Sequence, residues 1–358
     1  MELLPKTVCG SVDKIISAVI RCLHREKKRF HTMTILLTRE DRSRNTIAKW
    51  THGTAVDVSD TDDTNEMLQR AGLNWWLTSS LTFYGRDKQV QSPHHTVYRE
   101  DTGEFFYHAK ERTFFQNEEV VESFKNFAWN AGLKKLNALG YLPTKKVLFA
   151  AAKIPFDMAP AVDPRDRSDC YLLMTEGHEV GRALRVGVYL VRLVCTNGQM
   201  VTLPVRQKKV VHRVAEFPKD LVEKYVQASM LALTEQKEKV DLLAKTKVSV
   251  RQAQNGLISY FQGEKARYEK KVVDETDFEV QACLRLFQGE AMGAHYESVK
   301  GTAYGLYHAV SEWENHHARE ANGRKASSDV AHMHSLLADS KARKLAKLQN
   351  QLVQCVSL

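Results

Sequence analysis

Past Phe217-Pro218 the apolar positions of this chain change rhythm. Leu221, Val222, Tyr225, Val226, Ser229, Leu233, Val240 and Leu243 recur at helical spacing through a segment dense in Lys and Glu, which predicts a long amphipathic helix. Further helices are expected over 248–262, 275–288, 295–319 and 327–354, punctuated by Gly263, Gly289 and Asn322-Gly323. Before that boundary the pattern is mixed. Thr61-Asp-Asp-Thr-Asn65 caps a short helix over 66–71 that Gly72 stops. Residues 76–84 turn aromatic and β-branched, and 96–99 and 105–108 flank Asp101-Thr-Gly103, a hairpin signal. Asn117 is expected to cap a helix with Val120, Val121, Phe124, Phe127 and Ala128 on one face, ended by Gly132. Strands are expected at 133–139, 146–154, 170–175, 182–195, 200–203 and 209–214.

The fold class read from this order is α+β: a largely antiparallel sheet with packed helices over 33–215, followed by a mainly helical region over 216–358. Residues 1–32 stand apart, with an amphipathic segment over 12–23 and the basic run Arg25-Glu-Lys-Lys-Arg29. Met33 and the residues after it read like a start, so 1–32 is expected to be an upstream extension of the reading frame. An ordinary surface helix followed by a solvated charge run is the alternative.

Composition narrows the classes. The chain has 358 residues, 43% hydrophobic and 27% charged, in the range of soluble globular proteins. No apolar run approaches the ~18 residues of a membrane span, and the charge order around residues 15–29 is the reverse of a secretory signal. The six cysteines are scattered without a CxxC pair, which suits reduced thiols in a cytosol. Lys and Arg total 52 against 43 Asp and Glu, a formal charge of +9 that favours a polyanionic partner.

Chemistry-bearing residues are few. His308, Glu312 and His316 recur every four residues and would share a helix face, as a metal or acid/base site or as a buried polar clasp in which Glu312 accepts hydrogen bonds from the histidines. A zinc-type HExxH helix places its Glu beside the first His, whereas here Glu312 holds the middle position, so the clasp is the plainer reading. Cys195 lies before an Asn-Gly turn on an apolar strand and reads as a packed thiol, not a nucleophile. Asp163, Asp166 and Asp169 form an acidic loop without the ligand spacing of an EF-hand, and read as a turn. Phosphate-loop, dinucleotide and serine-hydrolase motifs are missing from the sequence, and no catalytic residue or cofactor is assigned. Arg206, Lys208, Lys209 and Arg213 lie on or beside one predicted strand and could neutralise phosphates, with Trp75, Trp76, Phe83 and Tyr84 available to stack on unpaired bases. A solvated sheet edge guarded by lysines explains the same cluster without a ligand.

Several strings together resemble the phage/plasmid-related family built on domain of unknown function 932. They are Ala71-Gly-Leu-Asn-Trp75, the hairpin around Asp101-Thr-Gly103, Phe115-Gln-Asn-Glu118, Arg192-Leu-Val-Cys-Thr-Asn-Gly198, and Gly301-Thr-Ala-Tyr through Ala309-Val-Ser-Glu312 to His316. The resemblance runs from about Met33 to His317, and departs where His308 stands in place of the family's usual Asn. It implies a setting in replication, recombination or maintenance of mobile DNA. The leading expectation is a non-enzymatic, homo-oligomeric protein that binds or anneals single-stranded DNA; a metal-assisted hydrolase at His308, Glu312 and His316, or a structural or host-interaction protein, are the alternatives.

Overall fold

The computed structural model describes residues 51, 53–85, 90–109, 114–143, 146–178, 185–194, 198–201, 219–265, 272–318 and 340–356. Residues 1–32, Cys195 and the strand expected at 209–214 lie outside them. Among the described residues two antiparallel sheets are formed. The larger takes β1 (Ala55–Asp57), β5 (Ala138–Leu142), β6 (Val147–Ile154), β7 (Ser168–Gly177), β8 (Arg185–Arg192) and β9 (Gly198–Val201), in the order β1-β5-β6-β7-β8-β9. From β5 onward it is a plain meander, as expected where short loops join successive strands. The smaller is β2 (Leu77–Tyr84), β3 (Val90–Arg99) and β4 (Phe105–Ala109), in sequence order. The β3–β4 turn at Asp101-Thr-Gly103 is closed by Gly103 N–H on Arg99 O (2.8 Å), with Gly103 at φ +69°, a conformation that favours glycine.

The central strands are apolar on both sides, and the two rows join different cores. Leu148, Ala150 and Ala152 of β6 face the core that also holds Val120, Val121, Phe124 and Phe127 of α2 (Asn117–Asn130) and Leu233, Val240 and Leu243 of α3 (Lys219–Lys245). Phe149 and Ala151 face the opposite cluster, with Tyr171, Leu173 and Tyr189. Near-continuous apolar runs are what a strand buried on both faces requires. The apolar core therefore crosses the change of secondary structure near residue 216.

A second core is helical. It joins α4 (Val250–Lys265), α5 (Phe278–Arg285), α6 (Ala303–Glu312) and α7 (Ser340–Val356). Ala303 and Tyr304 of α6 belong to the first core, and Leu306, Tyr307, Ala309 and Val310 to the second. Helix α6 is consequently buried on every side, His308 and Glu312 included.

Some boundaries differ from the expected ones. The helix expected over 295–319 begins only at Ala303, because Gly301 turns the chain at φ +62° and Thr302 caps α6, its hydroxyl accepting the Gly305 N–H (3.0 Å). It ends in a π-helical turn, Trp313–His317. Gly263 lies inside α4 and does not end it, whereas Gly289, at φ +138°, does interrupt the π-helical turn after α5. The N-cap of α2 is Gln116, not Asn117; its N–H donates to the Glu119 carboxylate (2.7 Å), which leaves Asn117 free for a tertiary role. The short helix α1 (Thr64–Arg70) is capped by Asp63.

Candidate functional site

Three of the sequence motifs meet at one buried junction. Arg192, the last residue of β8, donates from Nε and Nη2 to the two carboxylate oxygens of Asp166 (2.6 and 2.9 Å); their side chains are 3% and 0% exposed. Ser298 donates its hydroxyl to the same carboxylate (2.7 Å), and Arg192 Nη1 donates to Met292 O (3.2 Å). Nearby, Asp163 is held by Arg165 and accepts the Glu297 N–H (3.1 Å). Hydrogen bonding from Arg165 holds the Asp163 carboxyl down at about 2. The acidic loop before β7 thus docks the turn before α6 onto the large sheet. Gly293, at φ +76°, is required there: a Cβ would lie 2.9 Å from both Arg192 Nη2 and Val194 Cγ1.

Glu312 reaches the same turn, accepting the Met292 N–H (3.0 Å). Burial pushes its carboxyl up, opposed by that hydrogen bond and by His317 and Arg192. His308 is buried with neither ring nitrogen hydrogen-bonded to a protein group; its imidazole packs edge-on against Tyr304 (4.3 Å between centroids) and Tyr307. Burial, with the positive charge of Arg192 adding to it, holds His308 well below the usual histidine range, so it is neutral. The expected clasp does not form: Glu312 bonds a backbone amide, not His308.

The π-helical turn also moves His316. An extra residue in the turn rotates the following side chains off the four-residue face. The imidazole beside Glu312 is that of His317, with Nε2 3.9 Å from Oε1. Among the described residues no group of three or more His, Cys, Asp or Glu is placed to hold a metal ion. His308, Glu312 and His316 do not converge as ligands.

A second pair of motifs meets where the small sheet joins the rest. Asn117 Nδ2 donates to Leu73 O (2.8 Å) and Trp75 O (3.3 Å), and its Oδ1 lies 2.8 Å from His178 Nε2. The Gln116 amide bonds both the N–H and the carbonyl of Leu77 (2.9 Å each). Trp75 is only 6% exposed, its ring enclosed by Phe106, Tyr141 and His178, with the Arg99 guanidinium 4.8 Å from the ring centroid. That enclosure corrects the expectation for Trp75, which has no face left for a base. Trp76, its neighbour, points the other way and is 50% exposed.

Strand register places further rings beside Trp76. Thr78 pairs with Tyr98, Tyr98 with Phe105, and Thr96 with His108, so these positions share the face opposite buried Leu77 and Val97. Trp76, two residues before Thr78, continues the row. Phe105 is 48% exposed and its ring lies 5.0 Å from that of His108. The outward face of the small sheet therefore carries Trp76, Tyr98, Phe105 and His108 among Thr and Ser side chains. Phe83 and Tyr84 are exposed at the far end of β2, beyond a bulge after Leu81. Sequence reading missed Tyr98, Phe105 and His108 as a set, although the alternation within 96–99 and 105–108 carried the signal. The cations Arg206, Lys208, Lys209 and Arg213 follow β9 in the sequence and lie outside the described residues. Among the described residues no helix is long and apolar enough to cross a membrane.

Residues 108–347 match the model of a family described as a domain of unknown function, DUF932. The match includes the Arg192 junction and all of α6 but begins at His108, after most of the aromatic face. No curated protein and no solved structure matches the chain.

Proposed function

The chain belongs to the family built on domain of unknown function DUF932, and from that premise we propose that it is a non-enzymatic protein that binds or anneals single-stranded DNA. The proposed setting is replication or recombination of a phage or plasmid, inside the cell. The observation that carries this is the outward-facing row Trp76, Tyr98, Phe105 and His108 on one face of a three-stranded sheet, with Trp76, Phe105 and His108 exposed and Tyr98 half-buried between them. Unpaired bases stack on such rings whatever their sequence, because every base has a π-face. A net charge of +9 supplies attraction to the phosphates, with Arg206, Lys208, Lys209 and Arg213 as the proposed neutralising set.

Fluorescence anisotropy with a labelled oligothymidine at low salt tests it. Wild-type protein is expected to bind, and the double variant Trp76→Ala, Phe105→Ala to bind more weakly by roughly 10-fold or more, since each stacked ring contributes about 1–3 kcal/mol. Both rings are about half exposed, so the variant keeps its fold. Absence of binding at low salt, or unchanged affinity in the folded double variant, overturns the proposal.

A further inference from the structure

We propose that two copies of this chain join through the outer edge of β2, hydrogen-bonded antiparallel about a two-fold axis at Ser80. Strand β2 is an edge strand of the small sheet, and its edge is treated differently from that of β4. On β4 the outward carbonyl of Phe105 accepts from Lys146 Nζ, which also lies over the Phe106 ring (4.4 Å), so a lysine blocks that side. On β2, among the described residues, the blocking stops after one position: the Gln116 amide covers Leu77 and nothing further.

Which groups of β2 face outward follows from the register. Arg99 opposes Leu77, and its N–H donates to Glu104 O on the β4 side, so this pair exchanges no hydrogen bonds across β2 and β3. With period two, Ser79 and Leu81 also direct their N–H and C=O groups away from β3. The bulge after Leu81 ends the regular edge. What remains open is the short stretch 78–81, without a charge or a proline.

That stretch is self-complementary. With the axis at Ser80, Ser79 of each copy opposes Leu81 of the other, and the two pairs exchange four backbone hydrogen bonds. Ser80 meets Ser80 at the centre, where the exposed side chains are small. The edge itself raises no electrostatic barrier to a second copy: Leu77–Tyr84 has no charged side chain, so two copies of this stretch meet without like charges opposed, although each chain carries a net +9. Exposed Leu81, Phe83 and Tyr84 flank the contact and would be covered by it. A two-fold axis perpendicular to the sheet keeps like faces on one side, so the rows of rings from both copies form one continuous surface. This deepens the single-strand reading, on which it rests, by doubling the length of the stacking face.

The test is the mass of the full chain in solution, by light scattering without nucleic acid, for wild type, Ser79→Pro and Ser80→Lys. Proline at Ser79 removes an outward N–H that the chain itself does not use in the sheet, and lysine at Ser80 sets two like charges face to face. A two-copy mass that falls to one copy in both variants, with native circular dichroism, is the expected result. A wild-type monomer, or an assembly that persists in both folded variants, overturns the proposal. A monomer that binds oligothymidine separates the two readings, leaving the DNA proposal standing and removing this one; a dimer without DNA affinity does the reverse.

Discussion

Arg192 and Asp166 are buried as a bidentate pair, and each is tolerable there only with the other. Arg192→Ala leaves the Asp166 carboxylate with Ser298 alone and should destabilise the protein by about 3–5 kcal/mol, read by chemical denaturation. Glu312→Gln should behave oppositely. The amide oxygen can still accept the Met292 N–H, while the cost of burying a carboxylate disappears, so stability at pH 7 is expected to hold or rise. Because the folded carboxyl is shifted up, the wild type should regain ground on this variant as pH falls toward and below about 4.5. His308 has the other sign. Its folded pKa is depressed, so below about 6.5 the unfolded chain takes up a proton that the native imidazole refuses, and stability is lost as pH falls. Denaturation curves of His308→Leu should show a flatter pH dependence than wild type between pH ~6.5 and ~5, with higher stability at pH 7 from removing an unpaired buried polar group. An unchanged slope would mean that His308 is not held neutral.

Among the described glycines, Gly305 of α6 leaves the least room for a side chain. A Cβ on Gly305 would fall inside the Val299 carbonyl oxygen and lie 3.0 Å from its carbon, so the turn before the helix must move. Gly305→Ala should cost about 1–3 kcal/mol or more. Gly256, in mid-α4, is the control: its added Cβ would meet only Leu306 Cδ2 at 3.7 Å, and Gly256→Ala should stabilise by about 0.5–1 kcal/mol through helix propensity. Thermal melts of the two variants should therefore shift in opposite directions. The helices and strands themselves were largely legible, because period-two and helical spacing are local properties of the chain. Where reading failed, a tertiary partner had overridden the local rule. Asn117 looked like a cap but serves Leu73, Trp75 and His178, while the glutamine before it caps the helix. The rhythm of His308, Glu312 and His316 assumed an unbroken α-helix, and one π-helical turn put His317 beside Glu312 instead.

For the whole molecule, the proposed nucleic-acid face and the basic stretch after β9 predict separable effects. Replacing Lys208 and Lys209 by alanine should weaken oligothymidine binding and flatten its salt dependence, by about 0.7 in log–log slope for each phosphate no longer neutralised. Removing Trp76 and Phe105 should lower affinity while leaving that slope nearly unchanged, since stacking releases few counterions. Equal slopes in wild type and lysine variant would remove 208–209 from the interface.

The sequence alone determined the α+β class, the antiparallel character, the helical second half and the motifs that mark the family, since each depends on spacing within a short window. It could not determine which motifs meet. Arg192 and the turn before α6 are about a hundred residues apart, and Asn117 and Leu73 more than forty, yet each pair closes a buried contact. Nor could composition tell Trp75 from Trp76: adjacent residues on an extended chain face opposite ways, and only the packing of the small sheet decided that one ring is enclosed and the other left to solvent.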